Sequence, residues 1–226
     1  ESIKYGKPVR KISMREKEVE VSFEEGGKMA TITSPRVVIA MPFSTLRKVT
    51  MSNRFPDDKM KCIRELQYGE VIKFAMQFKR RFWNDPGSVG QRVFTDTPLR
   101  RVYHFPIDQP GPRGLLVTFT SAEDAKKIGR LTPENRLIKA RKVVSEIWNE
   151  AERYWENGTM KYWNEDPFTQ GSYSSLGVGQ SRDFRAIAGR QEGIVHFAGE
   201  HTTGASMNGA IKSGVRVSEE VRKTIG

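Results

Sequence analysis

The chain has 226 residues, with 38 Lys plus Arg against 27 Asp plus Glu for a net charge of +11, and 37% of it is hydrophobic. That is enough for one large core or two small ones, and no run approaches the roughly 20 consecutive apolar residues of a membrane span. A single cysteine, Cys62, excludes an internal disulfide and a cysteine-based metal site, and the three histidines stand at no ligand spacing.

The basic residues are scattered, as at Lys59 and Lys61, Lys79-Arg80-Arg81 and Arg100-Arg101, with no block of five or six. The excess therefore reads as basic surface, and nucleic-acid binding is not favoured. One cysteine and no secretory leader point to a reducing, cytoplasmic setting. The opening at Glu1 rather than Met reads as a piece of something longer.

Residues 7–41 read as consecutive strands. Lys7–Met14 leads into Val19–Phe23, which alternates apolar and polar residues; Gly26-Gly27 supplies a turn and Met29–Thr33 the return strand. Val37–Met41 is a continuous apolar run, as for a strand buried on both faces, stopped by Pro42. A short helix is predicted over Phe43–Val49 and another from Pro56 to about Leu66. Val71–Phe78 is a strand with Ile72, Phe74, Met76 and Phe78 on one face and Lys73 on the other. Further strands are predicted over Gln91–Thr95, Arg101–Phe105 and Leu115–Thr120.

Thr132-Pro133 is a strong helix start, Thr as N-cap and Pro at the first position, and the helix is predicted to reach about Trp155, ended by Asn157-Gly158. Met160–Trp163 follows as a short strand, then a loop to Ser181. Ile194–Ala198 is a short buried strand that breaks at Gly199 and presents Glu200. The chain then restarts at Met207 as an amphipathic helix whose core stripe is predicted to be Met207, Ile211, Gly214, Ser218, Val221 and Ile225. A strand feeding a Gly-opened turn and a helix N-terminus leaves unpaired N–H groups facing the turn.

Four features stand in order: Lys73 within Gly69-Glu70-Val71-Ile72-Lys73, Trp163 with Asp166-Pro167-Phe168, the loop Gly171-Ser172-Tyr173-Ser174, and Phe197-Ala198-Gly199-Glu200-His201-Thr202. Together they resemble the C-terminal half of the flavin-containing amine oxidase family, which includes monoamine, polyamine and L-amino-acid oxidases and histone demethylases. The resemblance covers nearly the whole chain and is most specific over 163–175 and 197–216. It implies an α/β plus α+β fold. Residues 1–50 and 190–226 would be the C-terminal part of an FAD-binding α/β domain, and 51–189 an inserted, mixed-sheet substrate domain.

The resemblance also implies roles. Lys73 matches the lysine that contacts flavin N5 through a water and is the catalytic candidate. At the turn Gly199 and Glu200 match cofactor-binding positions, Glu200 being the carboxylate that bonds the sugar-phosphate part of FAD. Met207 matches a residue whose backbone N–H faces the pyrimidine edge of the flavin. Val9 matches a strand residue beside the adenine, and Trp163 and Phe168 match aromatic positions around the flavin ring. Tyr173 matches one wall of a substrate-facing aromatic cage, whose opposite position falls on Ser206, leaving the cage one-sided. Ser172 stands where monoamine oxidases carry the cysteine linked to FAD, so the cofactor is expected to be FAD held non-covalently.

The family's Gly-x-Gly-x-x-Gly turn after a first strand is absent; Gly177-Val178-Gly179 is followed by Arg182, not a third glycine. The main phosphate cradle must then come from a missing N-terminal half or a separate chain, and this chain alone is expected to be inactive. The expected activity is oxidation of an amine C–N bond to an imine with oxygen as acceptor. The alternatives are a portion of an L-amino-acid oxidase, which needs an Arg for the substrate carboxylate, and a non-catalytic basic binding module.

Overall fold

A computed structural model describes residues 3–52, 55–105, 108–180 and 182–225, for Arg182 and Ile225 the backbone alone. The chain divides into two compact units, Glu1–Tyr68 with Pro167–Gly226, and Gly69–Asp166. In the first, alternation produces an antiparallel meander of β1 (Val9–Met14), β2 (Val19–Glu25) and β3 (Lys28–Ser34), with Ile12 and Val19 turned into the core. The β2–β3 turn needs two left-handed residues, and Gly26 and Gly27 supply them at φ 57° and 76°. Then come β4 (Val37–Ile39), α1 (Phe43–Leu46), β5 (Thr50–Met51, parallel to β1), α2 (Asp57–Glu65) and β6 (Gln67–Tyr68).

The second unit is built on β7 (Val71–Phe78), followed by β8 (Arg92–Phe94), β9 (Arg101–His104), β10 (Gly114–Thr118) and β11 (Thr120–Ser121). Helices α3 (Ala122–Gly129), α4 (Pro133–Ile147) and α5 (Ala151–Tyr154) lead to β12 (Trp155–Tyr162). Every described strand pair here is antiparallel, so the expected mixed sheet is an antiparallel one. β7 is central, bonded to β12 on one edge and to β10 and β11 on the other. Its Ile72, Phe74, Met76 and Phe78 are buried in one cluster with Ala140, Val143 and Val144 of α4, as the alternation predicts.

The helix from Thr132 starts as expected, the Thr132 side chain accepting the Asn135 N–H at 3.3 Å. It stops at Ile147 rather than Trp155, because Trp148 takes an extended backbone and Trp155–Tyr162 pairs along β7. Asn157-Gly158, read as a helix stop, lies inside β12 beside a register shift, where a Cβ on Gly158 would sit 2.6 Å from the Trp155 ring.

The first unit resumes with β13 (Ser174–Ser175, antiparallel to β6), α6 (Arg182–Gly189), β14 (Val195–Phe197, parallel to β4) and α7 (Met207–Ile225). Phe55, Cys62, Ile63, Leu66, Phe184 and Ala188 share one core with Val195 and Phe197. This sets the unit boundaries at 68/69 and 166/167, not the expected 50/51 and 189/190.

Two faces differ from expectation. Val38 is 45% exposed, so β4 is not covered on both sides. On α7 the apolar residues Met207, Ile211 and Val215 are 83%, 66% and 57% exposed, whereas Gly209, Ser213 and Val217 form the buried face. Small residues win there because the helix lies so close to the preceding loop.

Candidate functional site

The closeness is set by glycine and serine. A Cβ on Gly209 would lie 1.9 Å from the Gly204 carbonyl oxygen, a separation no side chain tolerates. Gly199 takes φ 122°, and a Cβ there would come within 2.5 Å of the His201 ring. Its N–H donates to Ser213 Oγ at 2.8 Å, while that hydroxyl donates to Ala210 O at 2.6 Å. Arg216 reaches back from the same face of α7 to the carbonyls of Phe197 at 2.7 Å and Gly189 at 3.0 Å. The turn is thereby pinned to the helix at Phe197 and at Gly199.

Ser206 is the helix cap: its Oγ accepts the Gly209 N–H at 2.9 Å. The N–H groups of Met207 and Asn208 precede the first N–H that bonds back along the helix, that of Ala210 to Ser206 O at 3.1 Å, and both residues are exposed. The partial positive charge of a 19-residue helix therefore emerges at an open end. Glu200 accepts the Ser174 N–H at 2.9 Å and the Ser174 hydroxyl at 2.7 Å, which ties the Gly171–Ser175 loop to the turn. Tyr173, next to it, is half exposed. Thus Ser172, Tyr173, Gly199 and Glu200 are joined through Ser174, and a short loop leads on to Ser206 and Met207. Val9 lies in the meander opposite Phe23, and Phe168 is exposed.

Beneath the turn is a buried row. The His201 ring lies 4.5 Å from Phe43, Phe43 meets Phe197 edge-on at 6.1 Å, and Lys59 Nζ sits 3.9 Å from the Phe197 centroid. Lys59, read from sequence as basic surface, is fully buried; its ammonium donates to Ala188 O at 2.9 Å and Arg190 O at 2.8 Å. Lys59, Cys62, Ile63 and Leu66 are spaced three, four and seven apart, and that periodicity was the available signal.

Burial, reinforced by Lys59 and Arg185, pushes His201 down to about 4. Its folded pKa lies below the unfolded value, so the unfolded chain takes up a proton first as pH falls. Stability should fall by roughly 2 kcal/mol between pH 7 and pH 5 on this account. Urea midpoints at the two pH values should show that slope in the native chain and a smaller one in His201→Phe; equal slopes would contradict the assignment.

In the second unit Lys73 is exposed, on the face of β7 opposite the core, directly across from Lys161 of β12. Trp163 continues that strand, its N–H donating to Val71 O at 3.0 Å, and Lys161 Nζ lies 5.5 Å from its ring. Lys73 and Trp163 therefore share one sheet face. Among the described residues Lys73 makes no ion pair; its Nζ lies 5.6 Å from the Phe119 ring instead. The strand lysine noted from sequence is explained: the second face of β7 is not core.

The family described as "Flavin containing amine oxidoreductase" matches residues 1–222. The chain is 32% identical over 234 residues to the "Putative L-amino-acid oxidase YobN" of Bacillus subtilis (strain 168), covering 98% of this chain and 48% of that protein. It is 29% identical to the flavin-dependent L-tryptophan oxidase RebO of Lentzea aerocolonigenes, covering 93% of this chain and 46% of that one. Its fold is similar to putrescine oxidase bound to putrescine, with a TM-score of 0.83 at 22% identity, covering 96% of this chain and 48% of the other. The chain spans about half the length of the curated relatives it matches.

Proposed function

The chain belongs to the flavin containing amine oxidoreductase family, and on that premise we propose that it is the portion of an FAD-dependent amine oxidase that holds the flavin-ring end of the cofactor and faces the amine. The observation that carries this reading is Lys73, an exposed ammonium with no carboxylate partner among the described residues, on a sheet face it shares with Trp163. The residues present fit a flavin in chemistry. Gly199 admits no side chain at the turn, and the open N–H groups at Met207 and Asn208 suit an electron-rich heterocycle edge. Glu200 is braced by Ser174 and would accept from a sugar hydroxyl.

When bound, the flavin supplies a two-electron acceptor for the amine C–N bond. Lys73 would hold a water at the reacting edge and stabilise negative charge that develops there. Tyr173 would orient the amine against its ring, and Ser206, occupied as a helix cap, would leave the opposite wall open. Ser172 offers no thiol, so the FAD would be non-covalent. Gly-x-Gly-x-x-Gly does not occur in this sequence, and the pyrophosphate would be held by the rest of the enzyme.

The test is cofactor retention. Joined to the remaining half of the enzyme, the chain should carry FAD that is released intact on denaturation. Alone, it should bind FAD weakly or not at all. Stoichiometric yellow protein from this chain alone, or FAD that stays with denatured protein, would refute the reading.

A further inference from the structure

The contact between Ser174 and Glu200 joins two stretches with different tasks in the proposed reaction. Glu200 stands in the Gly199 turn, on the cofactor side, and Ser174 follows Tyr173, on the substrate side. Ser174 meets the carboxylate twice, its N–H donating to one oxygen at 2.9 Å and its hydroxyl to the other at 2.7 Å. Because both donors belong to one residue, they fix the plane of the carboxylate as well as its position. Both bonds are of the stronger, charge-assisted kind, and Ser174 is only 3% exposed, so water hardly competes for them. An ionised carboxylate offers about four lone-pair sites, and those that Ser174 does not use are left for a ligand hydroxyl.

The backbone donor carries the contact into the loop. The Ser174 N–H lies in the same rigid peptide plane as the Tyr173 carbonyl and Cα, so whatever holds that N–H also sets the direction in which the Tyr173 ring leaves the chain. The loop is anchored at its ends as well. The Ser44 hydroxyl donates to Thr169 O at 2.7 Å before it, and Ser174 and Ser175 pair with Tyr68 and Gln67 of β6 after it. Between these anchors Gln170 and Gly171 take left-handed backbones at φ 55° and 116°, and Tyr173 is half exposed. On the other side Glu200 follows Gly199, whose N–H is held by Ser213 of α7. A continuous series of bonds therefore runs from α7 through Gly199 and Glu200 to Ser174 and the peptide of Tyr173. Such a series transmits an effect only when something biases one end of it, and a ligand hydroxyl on Glu200 would do so by fixing the carboxylate that Ser174 follows.

We infer that Ser174 is a positioning residue that couples the cofactor side to the substrate side: cofactor on Glu200 orders Tyr173, and loss of the Ser174 hydroxyl uncouples the two. Coupling between binding sites is reciprocal, so an amine held at Tyr173 tightens the cofactor by the same factor. The identity of the two ligands rests on the amine oxidase reading.

The experiment is hydrogen exchange, read by mass spectrometry, on the intact enzyme with and without FAD, as native protein, Ser174→Ala and Ser174→Thr. In the native enzyme FAD should slow exchange both in the Gly199–Thr202 turn and in the Gly171–Ser175 loop. In Ser174→Ala at saturating FAD the turn should stay protected and the loop should not, while exchange within Val9–Ser34 is native and shows that the unit is folded. Ser174→Thr keeps the hydroxyl and should restore the loop. KM for phenethylamine should rise about tenfold in Ser174→Ala even at saturating FAD, the size expected for one charge-assisted bond, with kcat changed less. Equal loop protection in the native enzyme and Ser174→Ala, a Ser174→Thr that exchanges like Ser174→Ala, or a KM that excess FAD returns to native would overturn the coupling. FAD that protects the turn but not the loop of the native enzyme would overturn the coupling and leave the cofactor reading standing. FAD that protects neither would overturn the cofactor reading of this turn, and the coupling with it.

Discussion

In the intact enzyme, Lys73→Met should slow flavin reduction by the amine, or reoxidation of the reduced flavin by oxygen, by about a hundredfold. The side chain stands on the exposed face of β7, across from Lys161 and Phe119, and the core-facing neighbours Ile72 and Phe74 do not depend on it. Met keeps the length and loses only the charge and its donors. Stability should therefore be unchanged, while stopped-flow traces of one half-reaction lengthen. Native rates in both half-reactions would remove Lys73 from the mechanism; a matching loss of urea stability would make it structural.

The second large effect is on the fold. Gly209→Ala should destabilise the chain by about 3 kcal/mol, because the added methyl would lie 1.9 Å from the Gly204 carbonyl and neither backbone can give way without lifting α7 from the turn. Gly214, five residues along the same helix, meets nothing within 4 Å. Gly214→Ala should instead stabilise by about 0.5–1 kcal/mol through helix propensity alone. Opposite shifts of the urea midpoint are expected. Two shifts of the same sign would mean that α7 does not seat on Gly209 as described.

Local patterns carried much of the fold. The β1–β3 meander, the β7 alternation and the Thr132 cap each depend on neighbours within a few residues, and they stand as the sequence suggests. What failed was non-local. Periodicity marked Met207 and Ile211 as a stripe, but which face a helix buries depends on how closely it approaches its partner, and Gly209 and Ser213 decided that. Trp155 read as the end of a helix and Asn157-Gly158 as its stop, with a strand only from Met160, because nothing local announces that β7 has a free edge waiting for the whole stretch.

The same limit applies to the candidate site. Tyr173 and Gly199-Glu200 each stand in a short local motif, but the Ser174–Glu200 hydrogen bonds that join the two stretches span 26 residues and are not legible in the chain. That Lys73 stands in line with Lys161 and Phe119 on one sheet face arises only from the registers of β7 with β12 and with β10 and β11. Lys59 was hidden for the converse reason: a charged residue on an amphipathic helix is assigned to water unless its apolar neighbours at three and four residues are weighed with it.

The most direct test of the central claim is an anaerobic titration of the intact FAD-loaded enzyme with L-phenylalanine and with phenethylamine, followed by the flavin absorbance band. The reading predicts that the band bleaches with an amine and returns, with peroxide formed, when oxygen is admitted. A band unchanged by either compound at saturating concentration, in protein that retains FAD, would contradict it.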